Sequence, residues 1–306
     1  GEEQAKKIVA EDASKDILGY VVYQMNAWNR VIQTVAPTGK PVLYCDFKYG
    51  GSGGFLIYNA GFLREDRKNV GFVSSSDPDD LVAAARCFKI VADGGRPAEF
   101  AAATAKARIG STPEPGGGDC LPDDLKPLST NECLEQLKAK KIIAFQDQKS
   151  KEAAPILGVP ITYLPFSELN GAWEKADQDE AKAIADRWQA SAADVIDVPR
   201  ETIENSAAMY LGEKAVMEKH GASAITINCL GGFYGGHIHA YPCLGFHELN
   251  NQGLVGACEC DVRSTATMVA FGTLTGGRPG YISDPVMDSA KRQIIYAHCV
   301  AANRVF

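Results

Sequence analysis

The chain has 306 residues and a formal net charge of −7, with 45% hydrophobic and 23% charged residues. That is the balance of a soluble globular protein large enough for two domains. No Lys/Arg block stands out and no apolar run approaches the ~20 residues that span a bilayer, which excludes a nucleic-acid groove, an anionic membrane surface and a transmembrane helix as expectations.

Residues 1–16 are charged and show no signal-peptide pattern, and the nine cysteines are scattered without a CxxC pair. A reducing, cytoplasmic compartment is expected, with most cysteines acting as small core residues. The first predicted element is a short helix over 4–13. LGYVVYQM (18–25) then reads as a buried strand, 26–35 as a helix followed by Gly39, and VLYCDF (42–47) as a second buried strand. The strand–helix–strand order predicts a parallel sheet. YGGSGGF (49–55) reads as a glycine-rich loop, either a ligand-contacting turn or a plain one, since it has neither the GxGxxG nor the GK[ST] pattern. A strand over 70–74 and a helix capped by Asp77-Pro78 follow.

GSTPEPGGGDCLPDD, within 109–131, predicts a long surface loop. The α/β rhythm resumes with strands at 142–145 and 161–166, long helices over 178–192 and 201–219, and a strand over 224–229. Three segments are expected: an α/β unit over 1–108, a loop and linking helix over 109–139, and a second α/β unit over 140–306. Ligands of parallel α/β sheets sit beyond the carboxyl ends of the strands, which places Cys229–His239 at the functional rim.

The candidate chemistry lies after that strand. His237 and His239 share one side of an extended segment, and Glu259 and Asp261 have the same spacing. If the two pairs converge, they form a site for a hard divalent cation with imidazole help. Asp261 also suits the N-terminus of a helix over 264–274. His247 and Glu248 precede a predicted LNNQG turn and read equally as a hydrogen-bonded surface pair. His298, in IIYAHCV, reads as a core histidine on a buried strand or as a residue at the strand's exit. In YQMNAWNR, the amides of Gln24 and Asn26 and the indole of Trp28 offer sugar-binding groups or ordinary helix capping.

YPCLGFHELNNQGLVGACECD, TMVAFGTLTGGRPGYISD and IIYAHC resemble the L-fucose isomerase and L-arabinose isomerase superfamily, over about 140–299. A Cys-Glu-x-Asp segment leading into a helix that ends in Leu-Thr-Gly carries the likeness. The resemblance implies Rossmann-like layered parallel sheets, a fucose isomerase-like fold, a homo-oligomer with its site near subunit contacts, and a Mn²⁺-type metal. It implies aldose–ketose interconversion through an ene-diol. Asp261 matches a metal ligand. The family's other metal-binding acid lies about two dozen residues upstream, where this chain has His237 and His239. The family's third ligand and an additional strand–helix unit fall beyond the two ends, so the chain is expected to be a portion of a longer polypeptide or a derived protein.

The resulting expectation is a metal-dependent sugar isomerase acting on a small sugar or glycan. Glu259, Asp261 and His237 are its catalytic candidates, and Asp261, His237 and His239 its metal ligands. Gln24, Asn26, Trp28, His239 and Glu248 are the substrate-binding candidates. A glycoside hydrolase using Glu248, Glu259 or Asp261, and a non-catalytic sugar-binding protein, are the alternatives.

Overall fold

The computed structural model describes residues 1–48, 50, 52–114, 116 and 125–304. Tyr49 and Gly51 of the glycine-rich segment, most of the Pro/Gly-rich loop with Cys120, and the final Val305-Phe306 lie outside the described residues. The elements run α1 (Glu2–Asp12), β1 (Tyr20–Gln24), α2 (Val31–Val35), β2 (Val42–Asp46), α3 (Ser52–Arg64), β3 (Val70–Val73), α4 (Pro78–Arg86), α5 (Phe88–Ala92) and α6 (Pro97–Ser111). They continue as α7 (Thr130–Leu137), β4 (Ile142–Phe145), β5 (Lys151–Ile156), β6 (Val159–Leu164), α8 (Phe166–Glu174), α9 (Gln178–Ser191) and α10 (Arg200–His220). The last are β7 (Ala224–Ile227), α11 (Cys229–Tyr234), α12 (Cys243–Asn251), β8 (Val255–Cys258), α13 (Val262–Leu274), β9 (Asp284–Asp288) and β10 (Gln293–Ala297). The fold is α/β with parallel sheets. Among the described residues no helix is long and apolar enough to cross a membrane.

Two units divide the chain: Gly1–Leu121 with Asp284–Ala297, and Pro122–Ser283 with His298–Phe306. In the first, β1, β2 and β3 form a parallel sheet in that order, and β9 and β10 form an antiparallel hairpin. The central strand β2 is apolar except for Asp46 and buried throughout, because helices cover both of its faces. β1 is an edge strand with alternate side chains exposed, not the fully buried strand its apolar run predicts. A helix does not begin at Asn26: Trp28 and Arg30 take left-handed φ angles of 61° and 57°, and α2 starts only at Val31. SGGF is not loop but the first turn of α3. A Cβ at Gly54 would stand 3.1 Å from Gln24 Nε2, so the glycine lets the helix start close against the end of β1.

The second unit holds a five-stranded sheet in the order β5-β6-β4-β7-β8. β6, β4, β7 and β8 are parallel, and β5, which the sequence reading missed, runs antiparallel on the edge. The Ile-rich runs of β4 and β7 are buried along their whole length. One face packs on α8, α9, α10 and α12 through Phe166, Leu169, Ile184, Met209 and Phe246, and the other on α7 and α13 through Leu137, Ala266 and Val269. α10 stops where Gly221 adopts a left-handed cap at φ 59°. HELNN is the last part of α12, not a turn, and β10 is largely exposed rather than buried.

Candidate active site

Register fixes where the second sheet ends. Phe145 of β4 pairs with Leu164 of β6 and with Ile227 of β7, and Ile227 pairs with Cys258 of β8. Everything that follows these residues stands on one rim, at the carboxyl ends of the strands. From β4 the chain goes to β6 on one side and to β7 on the other, so the sheet reverses its order at β4. Ligands of open α/β sheets bind at such a reversal.

A crevice of about 240 Å³ lies there, lined by Gln146, Asp147, Gln148, Phe166, Asn228, Gly231 and His237. Backbone and side-chain bonds hold its shape. Phe166 N donates to Asp147 O at 3.1 Å, and Asn228 N to Phe145 O at 2.7 Å. Asn228 caps α11 by accepting from Gly231 N at 3.1 Å, while its Nδ2 donates to Gln146 O at 3.3 Å. The Asp147 carboxylate accepts from Lys149 N at 2.7 Å, in an Asx turn that orients it. The His237 ring stacks on Phe166, with centroids 6.0 Å apart and planes 7° from parallel. A larger groove of about 600 Å³ lies among α8, α9 and α10. We favour the smaller crevice, because the groove is off the strand ends and its Glu168 is already paired with Lys219 and His220.

The expected residues distribute as follows. His237 reaches the crevice. His239 is exposed and meets the edge of Trp173 at 5.5 Å, so the two imidazoles sit on different rings instead of side by side on a strand. Glu259 is exposed at the end of β8 with a left-handed φ of 67°. Asp261 is the N-cap of α13: Oδ1 accepts from Arg263 N and Ser264 N, both at 3.0 Å, and Oδ2 from Ser264 Oγ at 2.6 Å. Glu248 is buried and tied to Arg187, the Trp188 indole and Gln252 at 3.0–3.1 Å. Burial raises its pKa, but the hydrogen bonds from Arg187, Trp188 and Gln252 outweigh that and hold it below the ordinary carboxylate range. It joins α9 to α12.

Of the first-unit candidates, Gln24 is fully buried and both ends of its amide are used, by Asn26 O at 2.6 Å and the Tyr44 hydroxyl at 2.9 Å. Asn26 is exposed, and its side chain accepts from Asn29 at 2.9 Å. Trp28 is 61% exposed beyond β1, its ring edge-on to Tyr58.

No protein-family model matches the chain. It is similar to sulfoquinovose isomerases. Those of Priestia aryabhattai and Priestia megaterium are each 24% identical over 160 residues, covering 51% of this chain and 35% of the relative. That of Alkalicoccus urumqiensis is 25% identical over 101 residues, 33% of this chain and 23% of the relative. The matched stretch thus spans about a third of the length of the curated relatives.

A hard cation such as Mn²⁺ takes several oxygen donors at once. Among the described residues no three-donor His/Cys/Asp/Glu cluster includes His237, His239, Glu259 or Asp261, and the Asp261 carboxylate also caps its helix. The chemistry below is assigned to the chain's own groups. Sequence reasoning missed Gln146, Asp147, Gln148 and Asn228. Their one signal was position, directly after IIAF and ITI, and it becomes decisive only once the strand order is known.

Proposed function

We propose that this chain is the sugar-handling part of an aldose–ketose isomerase, on a fucose isomerase-like α/β scaffold, with its substrate in the crevice beyond β4, β6 and β7. The observation that carries the reading is the gathering of a carboxylate, an imidazole and three amides at the point where the sheet reverses order. The similarity to sulfoquinovose isomerases supports the same class of chemistry.

Aldose–ketose exchange moves a proton between neighbouring carbons and another between their oxygens, through an ene-diol. Asp147 is positioned as the base at carbon and His237 as the group that shuttles the oxygen proton, a division that suits a carboxylate and an imidazole. Gln146, Gln148 and Asn228 offer amide donors and acceptors to hydroxyls. Glu259 stands at the adjoining strand end, outside the crevice lining. Hydrolysis of a glycosidic bond needs two carboxyls facing one oxygen. Asp147 is the one carboxylate among the described residues lining the crevice, which favours isomerisation. The test is to incubate the protein with a panel of aldoses that includes sulfoquinovose and follow the anomeric region by NMR. Ketose signals that grow with protein concentration are expected, and their absence across the panel would reject the proposal.

A further inference from the structure

Cysteines that are far apart in sequence meet in the second unit. Cys243 opens α12, Cys258 closes β8, and His298-Cys299 follows β10. The donor atoms of Cys258, His298 and Cys299 all lie within 4.8 Å of one another. Cys299 Sγ stands 3.7 Å from His298 Nδ1. The Cys243 thiol interacts with both Cys258 and Cys299, whereas the Cys229 thiol interacts with Cys258.

We propose that Cys243, Cys258, Cys299 and His298 form a tetrahedral Zn²⁺ site. Three thiolates and an imidazole make a closed structural zinc set, and soft sulfur donors select against the hard cations that carboxylates hold. Ligand bonds of about 2.0–2.3 Å imply donor separations of about 3.5–3.8 Å, so Cys258, His298 and Cys299 need to draw in by up to about 1 Å, and Cys243, outside their 4.8 Å group, has to swing in by rotation of its side chain. Cys243 is the fourth ligand in preference to Cys229 because its thiol interacts with two members of the set, Cys258 and Cys299, and that of Cys229 with Cys258 alone. Binding releases the thiol protons to solvent.

The site has a mechanical logic. After Cys299 the chain returns into the core at Val300, whose carbonyl accepts from Asn250 Nδ2 at 3.1 Å, and Ala301 O pairs with His247 Nδ1 at 2.7 Å. An ion held by Cys258, Cys243 and the His298-Cys299 pair would fasten this returning segment to β8 and α12. None of the four ligands lines the crevice, so the proposal stands apart from the isomerase reading.

The full chain, reduced and stripped with a chelator, is given Zn²⁺ alone, desalted, and measured by elemental analysis and native mass spectrometry. A single retained ion per chain is expected, with affinity falling at least tenfold in Cys299→Ser and Cys243→Ser and unchanged in Cys87→Ser and Asp261→Asn. Cys299 is exposed, so Cys299→Ser is the decisive variant, with far-ultraviolet circular dichroism to verify its fold. No retained zinc in the parent protein, or full retention in folded Cys299→Ser, would overturn the site.

Discussion

Glu213 sits in an environment that is costly for a carboxylate. It is completely buried on α10, and neither carboxylate oxygen has a hydrogen-bond partner. Burial therefore pushes its pKa well above the ordinary value of 4.5. The native chain keeps a proton that the unfolded chain gives up, so the unfolded state is favoured progressively as pH rises. Stability should fall about tenfold in the folding constant per pH unit above about 4.5, until the native pKa is reached. Glu213→Gln removes the titrating proton. Urea denaturation at a series of pH values should show a flatter decline in that variant, and an identical slope in both proteins would contradict this assignment. Asp46, in the first unit, shows the milder version. Burial raises its pKa, but the Ser52 and Ser74 hydroxyls, each 3.0 Å away, give its charge partners.

At the scale of elements, the long helix α10 is set by its contact with α8. A Cβ at Gly212 would stand 2.9 Å from the backbone N of Trp173, which is rigid helix and cannot give way. Gly212→Ala should therefore destabilise by about 1–3 kcal/mol despite alanine's better helix propensity. Thermal melts check this, and a stabilised variant would show that the helices separate easily. The sequence made β2, β4 and β7 legible because near-continuous apolar runs are what a strand covered on both faces needs. α10 was legible from its length and its terminal Gly221. α12 was not, because its Asn250 and Asn251 look like turn formers. Tertiary bonds overrule that preference: the Asn250 amide bridges Gly256 and Val300, and Asn251 Oδ1 accepts from Asn303 N and Arg304 N. The thiol group escaped for a different reason. Its ligands come from separate strand and helix ends, so no short spacing marks them.

At the scale of the molecule, each unit is built on a parallel core sheet covered by helices, and the proposed site follows from strand order more than from any motif. The His237–His239 pair looked alike in sequence, yet one ring lies in the crevice against Phe166 and the other against Trp173. The resemblance matched Asp261 to a metal ligand, and its carboxylate also caps the helix it begins. Asp147 drew no notice in the sequence and stands where the sheet reverses. The central claim is that this crevice moves a proton on a sugar. An ene-diol path exposes the proton held by the base to solvent, so it labels the substrate carbon. The most direct measurement is deuterium incorporation at C1 of the ketose, and at C2 of the recovered aldose, in deuterated buffer, with the parent protein, Asp147→Asn and His237→Gln. Incorporation is expected with the parent chain and should fall by about 10²–10⁴ in each variant, the usual weight of an acid–base group. Incorporation that is absent in the parent, or undiminished in folded Asp147→Asn, would contradict it.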